Sequence, residues 1–273
     1  MKYMAENAGQ FFAFNVWDIN SAKAIIDAAT ELKRAVILQT SARVFSALDK
    51  NEFRIYINSY AKRRGIGVYL HLDHCRNLEI IDEAIQSGWD SVMIDASHLP
   101  IYDNIAMTNT VSKMAKKHKV LVEAEIGQIK GTEEDLSVEN EVIANIEEVE
   151  KFLQETQVDM LAVAIGTAHG VYKGIPQIHY DMIAKVGNLT DIAFVVHGGT
   201  GLADDVLLKM FSYKNVKKIN ISTEVKQAYR SAILECEEKG FLQRGGFEAV
   251  KIEKTIHDYI MQMARQKMRL LSL

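Results

Sequence analysis

Eight short runs rich in β-branched and apolar residues recur along the chain: Phe11–Val16, Ala35–Ser41, Val68–His74, Ser91–Ser97, Val120–Gly127, Met160–Gly170, Phe194–Gly201 and Val216–Thr223. Most are continuously apolar rather than alternating, the pattern of strands buried on both faces in a parallel sheet covered by helices. The segments between them have helical period. Asn77 reads as an N-cap; Leu78, Ile81, Ala84 and Ile85 then share one face, and Gly88 sits where a glycine stops a helix. Ile146, Val149, Phe152 and Leu153 form a second such face, and Leu202, Val206, Leu207 and Met210 a third. Eight strand–helix units predict an α/β chain folded as a (β/α)8 TIM barrel, with residues 1–273 as one domain ending in a C-terminal helical tail. A doubly wound sheet is the rival, but it usually carries a glycine-rich turn after its first strand, and here that turn reads Phe14-Asn15-Val16-Trp17-Asp18. With Pro100 and Pro176 the only prolines, a proline-rich linker is excluded.

Composition narrows the function classes. Basic residues number 32 against 36 acidic, a net charge of −4, which gives no electrostatic footprint for nucleic acid or an anionic membrane. No apolar run approaches the roughly 20 residues that span a bilayer. The start, Met1 to Gln10, lacks the basic-then-apolar order of a signal peptide, so a cytoplasmic location is expected. Cys75 and Cys236 are far apart, which argues against a disulfide framework and a thiolate zinc site. The basic run Lys116–Lys119 reads as the solvated end of a helix.

In such a barrel the chemistry collects at the carboxyl ends of the strands. The third run ends His71-Leu72-Asp73-His74, the fourth Ile94-Asp95-Ala96-Ser97-His98, and the fifth carries Glu123 and Glu125. The sixth ends Gly166-Thr167-Ala168-His169-Gly170, the seventh His197-Gly198-Gly199-Thr200-Gly201, the eighth Asn220-Ile221-Ser222-Thr223. Each histidine alone is more simply a hydrogen-bonded core residue. Three together on separate strand ends, His74, His169 and His197, point instead to a catalytic metal, since zinc commonly takes three protein ligands and leaves one position open. Alternation from His74 puts His71 on the opposite face, away from the metal, and Asp73 would also face away unless the backbone turns at the strand end. His71, His98, His118, His179 and His257 are read as structural. Gly198, Gly199 and Gly201 let backbone amides approach an anion, and the helix predicted from Leu202 adds a favourable dipole. Lys173 offers a charge to the same phosphate, or is a surface lysine. The polar segment Gly127–Asp135 is either a flap carrying a carboxylate or a solvated acidic loop.

These motifs together resemble the class II, zinc-dependent aldolases of ketose phosphates, the fructose-bisphosphate and tagatose-bisphosphate enzymes. The likeness runs from about Phe12 to Thr223. It rests on Ala-Phe-Asn at 13–15, His-Leu-Asp-His at 71–74, Met-Ile-Asp-Ala-Ser-His at 93–98, Glu-Ala-Glu-Ile-Gly at 123–127, Ala-Ile-Gly-Thr-Ala-His-Gly at 164–170, His-Gly-Gly-Thr-Gly at 197–201 and Ile-Asn-Ile-Ser-Thr-Glu at 219–224. The resemblance implies a lyase that reversibly cleaves a ketose 1,6-bisphosphate or ketose 1-phosphate to dihydroxyacetone phosphate and an aldehyde, in carbohydrate metabolism such as glycolysis. It implies Zn2+ on His74, His169 and His197, Asp73 as acid/base, and Glu133 as the flap carboxylate, with Glu134 as its alternative. It implies a second divalent metal lined by Asp95 and Glu125, and a monovalent cation (Na+ or K+) near Gly170 and Gly198. Substrate contacts fall to Asn15, Ser41, Gly170, Lys173, Gly198, Gly199, Thr200, Asn220, Ile221, Ser222 and Thr223, and the assembly to a homodimer or homotetramer.

There are departures. Lys130 stands where glycine is usual, Ser222 where fructose-bisphosphate enzymes often carry Asp, and the Asp-Pro-Arg tail segment is absent. The distal half of the substrate therefore lacks its usual phosphate anchor, for which Lys226, Arg43 and Arg76 are candidate substitutes. A metal-dependent hydrolase acting on a phosphorylated small molecule is the alternative reading of three histidines and an aspartate.

Overall fold

A computed structural model describes residues 9–133, 136–139, 142–172 and 174–272, with 132–133, 136–138 and 272 described by their backbone alone. The strands are β1 (Phe11–Asn15), β2 (Val36–Ser41), β3 (Val68–Cys75), β4 (Ser91–Ile94), β5 (Leu121–Ile126), β6 (Gly131–Glu133), β7 (Leu136–Val138), β8 (Met160–Val163), β9 (Ala193–Val196) and β10 (Val216–Ile221). Eight of them close a barrel in the order β1-β10-β9-β8-β5-β4-β3-β2, every pair parallel. The remaining two, β6 and β7, form an antiparallel hairpin after β5, where the sequence left a choice between flap and loop. The helices are α1 (Ile19–Glu31), α2 (Ala42–Ala47), α3 (Lys50–Arg64), α4 (Leu78–Gln86), α5 (Ile101–Lys116), α6 (Ile146–Glu155), α7 (Tyr180–Leu189), α8 (Asp204–Phe211), α9 (Thr223–Glu238) and α10 (Ala249–Arg269). The fold is a (β/α)8 TIM barrel.

The two faces of the strands do different work. Phe12, Phe14, Leu38, Leu70, Leu72, Val122, Ile219 and Ile221 face outward into the main core beneath the helices. The alternate positions face inward and fall into two small clusters: Phe11, Ala13 and Ile37 with Ala35 and Tyr69, and Met160, Ala162 and Val195 with Leu121 and Ala193. Further along the same inward parity come Asn15, Gln39, His71, Asp73, Glu123, Glu125, His197, Lys218 and Asn220, none more than 5% exposed. The barrel is thus plugged by apolar side chains at its base and becomes polar towards the carboxyl ends. Polar groups at that depth need partners, because an unpaired one costs roughly 2–7 kcal/mol.

Helix ends follow local chemistry. Asp18 caps α1, its Oδ1 accepting from the Ser21 amide at 2.7 Å. Asn77 caps α4, accepting from the amides of Glu79 and Ile80, and Gly88 follows in the left-handed region at φ +77° as its sequence position predicts. The third predicted helix begins at Asp204 rather than Leu202, which is buried ahead of it. Ile252, Ile256, Ile260, Ala264 and Met268 make a buried stripe at four-residue spacing along α10 and seat it on α1 and α9. His257 to Asp27 and Arg265 to Glu31, both at 3.0 Å, pin α10 to α1. Among the described residues no helix is long and apolar enough to cross a membrane.

Candidate active site and metal centre

The site begins with a break in strand alternation. In β3, residues 69, 71 and 73 face inward, so His74 would face the helices. Instead His74 adopts φ +41°, and the register with β4 slips between Leu72 and Cys75. A left-handed non-glycine residue costs about 1–2 kcal/mol, and here it turns His74 to the barrel mouth without turning Asp73 away. Alternation counted from His74 therefore fails for His71. That side chain lies inside the barrel, its Nδ1 2.7 Å from Ser91 Oγ and its Nε2 3.5 Å from Glu123 Oε2.

His74, His169 and His197 converge. Their ring centroids are 4.5 Å (74–197), 4.9 Å (74–169) and 5.9 Å (169–197) apart. One nitrogen from each lies within 4.8 Å of the other two, and among the described residues this is the one such group of His, Cys, Asp or Glu side chains. His197 Nδ1 and His74 Nε2 are 2.7 Å apart. Their far nitrogens meet carboxylates: His197 Nε2 at 2.8 Å from Glu123 Oε1, His74 Nδ1 at 3.6 Å from Asp95 Oδ2. A carboxylate at the far nitrogen favours the tautomer that keeps the N–H there and turns the lone pair of the near nitrogen towards the centre of the trio. Facing lone pairs repel unless a cation lies between them. Burial, reinforced by the nearby His74 ring, lowers His169 to about 3 and pushes His197 well below the ordinary histidine range, which keeps both rings neutral. Three converging imidazoles, two of them backed by carboxylates, fit a divalent metal, zinc above all.

Asp73 is the next feature. It is 1% exposed and held by three amides: Asn15 Nδ2 at 3.2 Å and Gln39 Nε2 at 3.0 Å on Oδ2, and Asn220 Nδ2 at 3.3 Å on Oδ1. Gln39 also donates to Asn15 Oδ1 at 2.7 Å, so the amides brace one another. Asn220 lies between Asp73 and the His197 ring. Glu123 accepts from buried Lys218 Nζ at 2.7 Å on the oxygen that His197 does not use. A chain Lys218–Glu123–His197 therefore backs the metal position from inside the barrel.

A small cleft opens beside His169, lined by Gly170, Gly198, Thr200, Asn220, Ser222, Thr223 and Lys226. Ser222 Oγ is buried there without a hydrogen-bond partner among the described residues. The helix start that closes the cleft is the first turn of α9, not that of α8. The Gly199 amide is spent on Asn220 O at 3.1 Å and the Gly201 amide on Glu224 Oε1 at 2.7 Å. Gly198 O accepts from the Tyr172 hydroxyl at 2.7 Å. The Ile221 side chain lies in the outer core, so only its backbone faces the site. Ser41 is buried and caps α2, its Oγ accepting from the Val44 amide. A larger cleft at the other end of the barrel, lined by Lys113, Lys116, Glu155 and Asp159, contains none of these groups.

The foot of the β6–β7 hairpin rests against His169, whose amide donates to Lys130 O at 2.7 Å. A Cβ on Gly131 would stand 2.2 Å from the His169 carbonyl oxygen, and Gly131 has φ +118°, so glycine is required there. The side chains of Glu133, Glu134 and Lys173 lie outside the described residues. Asp95 and Glu125 are both buried beside the trio but outside its ligand group. Burial first, then the charge of Asp95, raises Glu125 to about 8. Burial alone would raise Asp95, but His74, Arg76 and Ser97 outweigh it and hold that carboxyl well below the usual range.

Sequence reasoning missed Gln39 and Lys218, and noted Glu123 without giving it a role. Each was legible as a polar residue at inward parity within an apolar strand, paired in register with Asn15 and His71 in the case of Gln39.

Comparison with known proteins agrees with this geometry. The chain is similar to the YdjI aldolase from Escherichia coli K12 at 28% identity, over 97% of this chain and 92% of that one, with a TM-score of 0.81. A putative fructose-1,6-biphosphate aldolase from Coccidioides immitis shares 22% identity over 99% and 94%, with a TM-score of 0.87. The fructose-bisphosphate aldolase of Campylobacter jejuni shares 20% over 99% and 92%, with a TM-score of 0.82; these last two likenesses speak to fold. The family profile described as fructose-bisphosphate aldolase class-II matches residues 1–273, and the chain, a lyase with a three-histidine metal site, belongs to the class II fructose-bisphosphate aldolase family.

Proposed function

We propose that this chain is a zinc-dependent aldolase that reversibly cleaves a ketose phosphate to dihydroxyacetone phosphate and an aldehyde. The carrying observation is the placement of Asp73, a buried carboxylate braced by Asn15, Gln39 and Asn220, one residue from a ligand of the histidine trio. Zinc on that trio would supply a Lewis acid for the carbonyl and neighbouring hydroxyl oxygens of the substrate.

The chain's own residues supply the rest. Asp73 takes the proton from the hydroxyl on the carbon that becomes the aldehyde. As that C–O–H becomes C=O, the adjoining C–C bond breaks and its electron pair passes to the dihydroxyacetone phosphate half. In the reverse direction the protonated Asp73 returns the proton to the forming hydroxyl. Three amide donors on Asp73 fix the direction of its free lone pairs, which is a positioning contribution. The Ser222–Lys226 turn and Gly198 form the cleft we assign to the phosphate; the unpartnered Ser222 hydroxyl and the Lys226 ammonium suit a dianion. The resemblance gives the proton on the dihydroxyacetone phosphate carbon to Glu133.

The test is cleavage of ketose bisphosphates and ketose 1-phosphates by protein stripped with EDTA and then reloaded with zinc. Activity is expected to vanish and return; activity that survives complete metal removal overturns the proposal. Asp73→Ala should lose about 10²–10⁴-fold in cleavage while its zinc content, measured by mass spectrometry of the metal, stays at the wild-type level. Equal loss of both would remove Asp73 from the acid/base role.

A further inference from the structure

The mouth of the barrel carries a guanidinium to which the family likeness gives no role. Arg76 follows the metal ligand His74 by two positions and turns its guanidinium onto Asp95: Nε lies 3.1 Å and Nη2 2.9 Å from Oδ2. The same oxygen faces His74 Nδ1 at 3.6 Å. Oδ1 accepts from the Ser97 hydroxyl at 2.7 Å and the Ser97 amide at 3.3 Å. Asp95 is 3% exposed and Arg76 33%, so the arginine reaches in from the rim to a carboxylate already enclosed. Both oxygens of Asp95 are committed to hydrogen-bond donors.

Asp95 is one of the two carboxylates that would line an auxiliary divalent cation. The other, Glu125, is fully enclosed, with Oε2 meeting no donor among the described residues. A hard cation needs several oxygen lone pairs pointing at it. To recruit Asp95 it would have to displace the guanidinium, which cannot shed its charge, or share a carboxylate with it at close range. The two carboxylates less one guanidinium leave at most a single negative charge for a doubly charged ion. The residues present do not fit a second metal.

We propose that the Arg76 guanidinium takes the place of the auxiliary divalent cation, so that the chain works with one metal, on His74, His169 and His197. Asp95 is then a positioning residue, held by Arg76 and Ser97 so that it orients His74 from behind. Arg76, rather than anchoring a distal phosphate, is spent on this pair. The inference rests on the metal-site reading of the histidine trio, and its test separates the two.

Zinc-stripped protein is titrated with zinc, desalted, and its metal counted by mass spectrometry, with cobalt absorption as a second reading. Wild-type protein is expected to saturate at one equivalent. Arg76→Lys, which keeps the charge, should also stop at one. Arg76→Met and Arg76→Gln should take up a second, weaker equivalent that disappears in Arg76→Gln/Glu125→Gln. Two equivalents in wild type overturn the proposal whether or not the variants fold. One equivalent in both neutral variants, with wild-type circular dichroism, overturns it too, because the guanidinium would then not be what excludes the ion. No bound metal at all in wild type sinks the histidine site itself, and the inference with it.

Discussion

Lys218→Met tests the polar interior of the barrel most directly. Lys218 Nζ sits 2.7 Å from Glu123 Oε2, and both side chains have no exposed surface. Removing one partner of a buried pair costs about 3–5 kcal/mol, because a charge is left stranded. Here His71 and His197 still touch the stranded carboxylate, which places the expected loss at the lower end, about 3 kcal/mol. For a chain of this size each kcal/mol moves the melting point by about 2–4 °C, so a drop near 10 °C is expected by scanning calorimetry of the zinc-free protein. The double variant Lys218→Met/Glu123→Leu replaces the pair by apolar side chains of similar bulk and should recover most of that loss. It also removes the carboxylate that orients His197, so its zinc affinity, read by competition with a chromophoric chelator, should remain about 10–100-fold below wild type. Stability and metal affinity should therefore part company in the double variant. A single variant melting within about 2 °C of wild type, or a double variant binding zinc as tightly as the parent, refutes this account of the interior.

Two further outcomes follow from the same geometry. Gly199→Ala places a Cβ 2.5 Å from Ile219 Cγ2 and 2.8 Å from the Asn220 carbonyl oxygen, so about 1–3 kcal/mol of stability should be lost in urea unfolding, with weaker phosphate binding as β10 shifts. Glu125 is raised to about 8, so between its unfolded value near 4.5 and pH 8 the native state holds a proton that the unfolded chain has released. Stability of the zinc-free protein should fall across that window by up to about 1.4 kcal/mol per pH unit from this group. His169, lowered to about 3, acts in the opposite sense, adding stability as pH rises from about 3 to 6.5. Glu125→Gln should flatten the decline between pH 6.5 and 8, where only the glutamate term operates, and an unchanged slope there would count against a buried neutral carboxyl.

The barrel strands were readable because both of their faces are buried and apolar runs are long enough to recognise. The alternation hidden inside them was harder to see. Val-Glu-Ala-Glu at 122–125 and Lys-Ile-Asn-Ile at 218–221 carry polar residues at every second place, which marks the inward face once the barrel is assumed. His74 defeated that rule, since a positive φ at a non-glycine residue leaves no sign in composition or period. The trio itself was legible because each ligand stands at or beyond the carboxyl-terminal part of an apolar run. The Lys218–Glu123–His197 chain was not, because it joins strands distant in sequence. The hairpin strands β6 and β7, three residues each, are too short for any period to show.

The reversed backbone at His74 has a mechanical corollary. Proton acceptor and metal ligand hang from adjacent α-carbons of one strand, so a single peptide plane sets the spacing between the base and the ion. Whatever else shifts during a turnover, these two travel together. Tuning the reaction to another substrate is left to the rim, where side chains can change without disturbing that fixed interval.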